Sequence, residues 1–269
     1  MAEETRIGIA GVAGRMGRML TAAVAETDDC RLVAGTALAE SPELAMDIGT
    51  LAGLAPLGIT PGVEAADLFA ASDLVMDFTA PTATRQHLAL AGETGKALLI
   101  GTTGLAAEDL AAIDRAAQTA PILIASNTSL GVTLLQRLVT EVARALDESY
   151  DIEVVEMHHK MKVDAPSGTA LTLGKAAAAG RGKSLEELWV KSRDGHTGAR
   201  ESGTIGFATL RGGDVVGEHS VIFAGPGERI ELTHKAQSRQ LFAQGAVRAA
   251  RWLASKPPGL YTMEDVLGI

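Results

Sequence analysis

Residues 6–17 limit the fold of this chain more than any other stretch. Arg6–Ala10 is a short apolar run, glycines follow at Gly11, Gly14 and Gly17, and a helical pattern runs from Met16 to Glu26. A strand that turns through closely spaced glycines into a helix begins a strand–helix–strand unit. The helix N-terminus offers N–H donors and positive partial charge to a phosphate. Glycine lets the chain turn tightly and lets a pyrophosphate come close to the backbone. Glycine also packs helices against strands, so the triplet alone is a weak sign. The strand before it and the helix after it make dinucleotide binding the stronger reading.

Up to about residue 127, short apolar runs alternate with alanine-rich helical stretches. Strands are read at Arg31–Gly35, Leu74–Phe78, Ala97–Gly101 and Ile122–Ala125, and helices at Thr82–Thr94 and Ala106–Ala117; 36–72 resist assignment. Nearly continuous apolar runs fit strands covered on both faces, and the alternation predicts a parallel, doubly wound sheet. After a helix at Leu130–Leu146 the pattern changes. Strands are read at Asp151–His158, Thr204–Arg211, Val215–Ala224 and Arg229–Lys235. The turns Gly212-Gly213-Asp214 and Gly225-Pro226-Gly227 are short enough to make hairpins. A helix at Ser167–Ala179 and a polar, glycine-rich loop at Arg193–Gly203, expected to be mobile, separate the first two of these strands.

The expected fold is therefore α/β. An N-terminal doubly wound (Rossmann-like) parallel sheet, the dinucleotide-binding domain, occupies 1–127. A C-terminal α+β domain with an open, mostly antiparallel sheet occupies 128–239. A last helical stretch within 240–269 is free to pack back on the first domain.

Length and charge narrow the partners. At 269 residues the chain holds one to two domains. Lys and Arg number 24 against 33 Asp and Glu, a net charge of -9 that argues against a nucleic-acid partner. An anionic small molecule would then need a local positive site, because the long-range field opposes it. Cys30 is the single cysteine, which excludes an intrachain disulfide and fits a reducing, cytoplasmic setting. Neither a secretion signal nor a membrane span is expected from the apolar runs.

The densest polar stretch at a strand end is EMHHKMKVDAPSGT, from Glu156 to Thr169. Pro166 cannot continue a strand, Ser167 is a good N-cap, and Gly168 and Thr169 would open a helix. Their N–H groups, with Lys162 nearby, make a pocket suited to a carboxylate. His158 can give or take a proton near neutral pH. A lone histidine is more often a hydrogen-bonded structural residue, but two histidines and two lysines after a buried strand favour a site. His158 and His159 are adjacent, so on a strand they would point to opposite faces, and no metal-ligand spacing stands out. No metal is expected.

The segments GVAGRMG, DFTAPTATRQHL, IGTTG, ASNTSLGV, EMHHKMKVDAPSGTA, SRDGHTGARESGTIGFATLRGGDVVGEH and GERIELTHKAQSRQLFAQGAVRAARWL resemble the 4-hydroxy-tetrahydrodipicolinate reductase (dihydrodipicolinate reductase) family. The resemblance runs over nearly the whole chain in matching order. It implies reduction by NADH or NADPH, in the diaminopimelate route to lysine, of the imine formed from 4-hydroxy-tetrahydrodipicolinate, with loss of water. It implies His158 as proton donor and Lys162 as second donor, with His159, Ser167, Gly168 and Thr169 around the carboxylates of a small dicarboxylate. Gly11, Val12, Ala13, Gly14, Arg15 and Met16 would wrap the pyrophosphate. Gly101, Thr102 and Thr103, with Ala125, Ser126, Asn127 and Thr128, would line the nicotinamide and ribose. It also implies a homotetramer, which would cover hydrophobic strands around Ile205, Phe207, Val221 and Phe223, and a role for the 193–203 loop near the site. His196 in that loop is either structural or part of a lid. The family usually carries an acid and an arginine where this chain has Ala37 and Leu38; Glu40 is a displaced substitute, so the choice between NADH and NADPH stays open. Two other readings of the residues remain: another nicotinamide-dependent oxidoreductase of a small carboxylate, and a non-catalytic NAD(P)H sensor.

Several features are set aside. Asn127-Thr128-Ser129 fits a glycosylation sequon, but no secretion signal accompanies it. Cys30 is read as a packing residue. His87, His219 and His234 are isolated in sequence and read as structural.

Overall fold

The computed structural model describes residues 4–269. Two compact units emerge: 4–129 with 240–268, and 130–239. The first begins with β1 (Thr5–Ala10), α1 (Arg15–Ala25) and β2 (Cys30–Thr36). Two short helices follow in the stretch that resisted assignment, α2 (Ile48–Leu51) and α3 (Ala65–Ala71). Periodicity does not reveal this stretch because a carboxylate organises it. Asp47 accepts backbone N–H groups from Thr50, Leu57, Gly58 and Ile59 at 2.7–3.1 Å. Then come β3 (Leu74–Asp77), α4 (Pro81–Thr94), β4 (Ala97–Ile100), α5 (Ala107–Ala116) and β5 (Pro121–Ile124).

The second unit holds α6 (Leu130–Ala145), β6 (Asp151–His158), α7 (Gly168–Gly180), α8 (Leu185–Leu188), β7 (Trp189–Val190), β8 (Ile205–Arg211), β9 (Gly217–Gly225) and β10 (Glu228–Ala236). Its sheet order is β10-β9-β6-β8-β7. The long β10–β9 and β9–β6 pairings are antiparallel, while β6–β8 and β8–β7 are parallel, so the sheet is mixed and mostly antiparallel. Gly225-Pro226-Gly227 makes the expected hairpin between β9 and β10. The turn at Gly212-Gly213-Asp214 does not make one. The chain leaves β8, passes over the end of β6 and returns as β9 on the other side of it. Three backbone hydrogen bonds hold the crossing. The Gly212 N–H donates to the His158 carbonyl (3.0 Å), the His159 N–H to Val215 (2.7 Å) and the Lys160 N–H to Gly213 (3.2 Å). A glycine-rich turn reads the same in sequence whether its flanking strands are neighbours or straddle a third.

Alternation on β6 buries Ile152, Val154, Glu156 and His158 on one face. That face meets α6 and α7 in a core with Leu135, Val139, Leu173 and Ala177. Ile205, Phe207, Val221 and Phe223 belong to this core, each at most 5% exposed. They are covered within the chain and need no partner subunit, contrary to the expectation. The uncovered apolar side chains lie on the opposite face, with Leu210 49% exposed. The loop at 193–203 has no regular structure but is anchored. Arg193 and Arg200 both bond Glu153, and Arg200 also bonds Asp151, at 2.7–3.0 Å.

After residue 239 the chain re-enters the first unit with α9 (Gln240–Leu253), β11 (Gly259–Tyr261) and α10 (Met263–Leu267). The first sheet then reads β11-β5-β4-β3-β1-β2, parallel throughout. Helix α9 packs on α1, while α3, α4 and α5 form a series whose core includes Leu68, Leu88 and Ile113 against Val75, Leu98 and Ile122. Both faces of the sheet are thus covered, which explains the unbroken apolar runs of β3 and β4. Among the described residues no helix is long and apolar enough to cross a membrane.

Candidate active site

The last residue of β6 is His158, and its surroundings are built from the fold outward. Glu156 lies two residues earlier on the same face and is 1% exposed. It holds four groups: His158 Nδ1 at 2.6 Å, the two terminal nitrogens of Arg211 at 2.8 and 2.9 Å, and the Ser167 N–H at 3.1 Å. Arg211 arrives because β8 runs parallel to β6 in a register that places it beside His158. Burial pushes the Glu156 carboxyl upward, but Arg211, His158 and the Ser167 N–H outweigh it and hold the group below its usual range. An ionised carboxylate only accepts, so His158 carries its proton on Nδ1 and presents Nε2 for exchange. Burial lowers the His158 pKa; Glu156 opposes this, while Lys162 and Arg211 reinforce it. Gly217 lies beside Nε2: a Cβ there would stand 3.0 Å from that nitrogen.

Ser167 caps α7, its hydroxyl accepting from the Ala170 N–H at 3.1 Å and meeting His219 Nε2 at 2.9 Å. Both of its polar groups therefore have partners within the unit, so Ser167 frames the helix start. Gly168 and Thr169 form the first turn, where backbone N–H groups point out of the helix end. Lys162 Nζ sits 2.8 Å from Asp164. Arg239 donates to His159 Nε2 at 3.1 Å, which gives His159 a cationic neighbour. His219, set aside in the sequence as isolated, lies with its ring centroid 5.1 Å from that of His158. Burial, then the nearby His158, lower its pKa to about 4, so it is neutral at physiological pH.

The first unit gathers its candidate residues at the carboxyl ends of β1, β3, β4 and β5, where ligands bind in open parallel sheets. Gly11 has φ 72°, and α1 approaches the loop so closely that a Cβ on Gly17 would lie 2.6 Å from Val12 Cα. Val12 is buried and its N–H donates to Thr36 (2.9 Å), while Ala13, Gly14, Arg15 and Met16 carry the loop into α1. The glycines let the loop turn tightly against the start of α1, so its backbone at the helix end fits a pyrophosphate. Gly101, Thr102 and Thr103 follow β4. Asp77, fully buried at the end of β3, ties them to the next loop: Oδ1 accepts from the Thr79 hydroxyl (2.5 Å) and the Thr102 hydroxyl (3.2 Å), and Oδ2 accepts from His87 Nδ1 (2.8 Å). Ala125, Ser126, Asn127 and Thr128 follow β5, but the Thr128 hydroxyl is committed to the Phe242 carbonyl of α9 at 2.6 Å.

Family profiles described as "Dihydrodipicolinate reductase, N-terminus" and "Dihydrodipicolinate reductase, C-terminus" match residues 5–128 and 131–267. The chain belongs to the dihydrodipicolinate reductase family. A 4-hydroxy-tetrahydrodipicolinate reductase of Afipia carboxidovorans is 54% identical over 99% of this chain and 98% of its own length. Another, from Alkalilimnicola ehrlichii, is 52% identical over 98% of this chain and 99% of its own. A dipicolinate-bound dihydrodipicolinate reductase from Paenisporosarcina sp. TG-14 shares the fold, with a TM-score of 0.77 at 24% identity over 96% of this chain and 97% of that one.

In this family member, the histidine pair, Lys162 and the helix start, read as candidates from the sequence, lie together at the end of β6. Arg211, His219 and Arg239, which contact these candidates, and Asp77 with His87 in the first unit are not singled out by the sequence. A single arginine or histidine carries no local pattern. Strand register, which pairs Glu156 with His219 and His158 with Arg211, brings Arg211 and His219 to the site. Cys30 is buried and its thiol is pushed up to about 11, chiefly by burial, which fits a packing role.

Proposed function

We propose that this chain reduces 4-hydroxy-tetrahydrodipicolinate to tetrahydrodipicolinate with NADH or NADPH, in the diaminopimelate route to lysine, within the cytoplasm. The observation that carries the reading is the grouping of His158, Lys162, His159 and the start of α7 around one strand end. The overall change adds a hydride, supplied by the reduced nicotinamide when bound, and a proton to the ring, and releases water. Gly11 to Met16 would hold the pyrophosphate, with Gly101 to Thr103 and Ala125 to Asn127 toward the nicotinamide ribose. Thr128 then acts by securing α9.

His158 donates the proton from Nε2. The substrate is doubly anionic, and its approach favours the imidazolium that the empty site disfavours. Lys162 places a positive charge beside one carboxylate and can exchange Asp164 for it. The Gly168 and Thr169 N–H groups, behind the Ser167 cap, bind a carboxylate at the helix end. His159, with Arg239 behind it, meets the other. Since the net charge of -9 repels a dianion at long range, these local cations and dipoles must supply capture.

The subunits would assemble through the outer face of the second sheet, where Val155, Met157, Ala208, Leu210 and Ile222 lie on the side away from α6 and α7. A homotetramer is the assembly we favour, and sedimentation of the purified chain tests it. The activity itself is tested by mixing pyruvate, aspartate semialdehyde and the upstream synthase with this protein and NADH. Absorbance of the reduced cofactor should fall only when all components are present. Cofactor binding without turnover would favour a sensor and overturn the reading.

A further inference from the structure

We infer that Glu156 is a positioning residue that sets the tautomer and proton affinity of His158 and couples both to the carboxylate-binding end of α7. The inference rests on the reading of His158 as the proton donor, but its physical part concerns the imidazole alone.

Glu156 is buried, yet its two oxygens serve three separate elements. Oε2 accepts from His158 Nδ1 (2.6 Å) and from Arg211 of β8 (2.8 Å). Oε1 accepts from the second terminal nitrogen of Arg211 (2.9 Å) and from the Ser167 N–H at the start of α7 (3.1 Å). A carboxylate in this setting cannot be mere filler. An unpaired buried charge is costly, so the fold brings Arg211 to neutralise it. Arg211 is itself held by the Leu210 carbonyl (2.7 Å) and the Asp164 carbonyl (2.6 Å).

The consequence for His158 follows from geometry. With Nδ1–H fixed on Glu156, Nε2 is the atom that gains the transferable proton when the ring becomes imidazolium, and it lies beside Gly217. The same carboxylate pins Ser167, so the imidazole and the first turn of α7 are held in one frame. A carboxylate bound at Gly168 and Thr169 would therefore meet an Nε2 already aimed, and its charge would favour protonation there. The charged and titratable groups facing His158 are Glu156 on its own strand, Arg211 on β8, His219 on β9 and Lys162 in the following loop. Glu156 favours the imidazolium; Arg211 and Lys162 oppose it, and His219 is neutral.

Two substitutions should move the ring in opposite directions. In Glu156→Gln the carboxamide keeps the shape and loses the charge, so His158 should ionise at lower pH than in the native protein. In Arg211→Gln the opposing cation is gone and Glu156 faces His158 alone, so His158 should ionise at higher pH. NMR titration of the full-length protein, labelled at histidine and free of substrate, reads both shifts, and the ring nitrogens should report an Nδ1–H tautomer in the native protein. Either variant alone tests the claim if the other fails to fold. Unchanged ionisation of His158 in a folded variant overturns the inference, as does an Nε2–H tautomer in the native protein. The pH profile of kcat/KM for imine reduction separates the two levels. Its limb should follow the ring, and kcat at neutral pH should fall roughly ten-fold or more in Glu156→Gln. A ring that shifts under a stationary kinetic limb supports the inference and removes His158 as the donor.

Discussion

The glycine loop of the first unit and the histidine strand of the second offer an anion opposite materials. At Gly11, Gly14 and Gly17 the chain withholds side chains, which leaves backbone and a helix end to face a ligand. Around His158 the chain concentrates side chains: a buried carboxylate, a bidentate arginine, two histidine rings and a lysine. The first arrangement suits a constant ligand part, since a pyrophosphate needs only donors and room. The second suits chemistry, since a proton must be held at one atom and released. Damage to the two regions should therefore differ in kind. Loss at the loop should appear as weakened binding, and loss at the strand as weakened turnover.

The largest effect is expected at the strand. His158→Gln should lower kcat by about 100-fold or more, the usual contribution of a positioned general acid, while the dissociation constant for NADH stays put. Native turnover in this variant would take His158 out of the mechanism. A smaller effect is expected at the far side of the first unit, where β2 ends. Ala37 and Leu38 stand there, Leu38 is 78% exposed, and neither an acid grips the ribose nor an arginine awaits a phosphate. The ratio of kcat/KM between NADH and NADPH should stay below about 100-fold, the worth of one charge-assisted hydrogen bond. A ratio above ~1,000 would mean that another contact discriminates, Arg15 or Glu40 being the residues to substitute next.

The same contrast explains what could be read from the chain beforehand. The glycine loop, the alternating strands and helices, and the run from Glu156 to Thr169 are contiguous, so their chemistry is visible in order along the sequence. Arg211 and His219 are not: they reach His158 through the register of β8 and β9, which depends on a crossing over β6 that looks like a hairpin. Arg239 is 80 residues from the His159 it touches. Strand β11, three residues long, is too short to announce itself. The four-residue helix α2 follows from the Asp47 carboxylate rather than from any apolar period. The apolar strands assigned to a subunit interface show a related limit. Composition identifies Phe207 and Val221 as apolar, but only the pleat tells which face meets α6 and α7.

The division of labour is tested most directly by titrating two ligands separately into two variants. Within 4 Å, a Cβ on Gly14 would meet only the Gly11 carbonyl, at 3.2 Å, so Gly14→Ala should leave the fold intact while placing a methyl group in the loop. Lys162→Ala removes the cation beside the second site. With NADH and pyridine-2,6-dicarboxylate as probes, Gly14→Ala should weaken NADH by about ten-fold and leave the dicarboxylate unchanged, and Lys162→Ala should do the reverse by about ten-fold or more. Equal loss of both ligands in either variant would contradict the account.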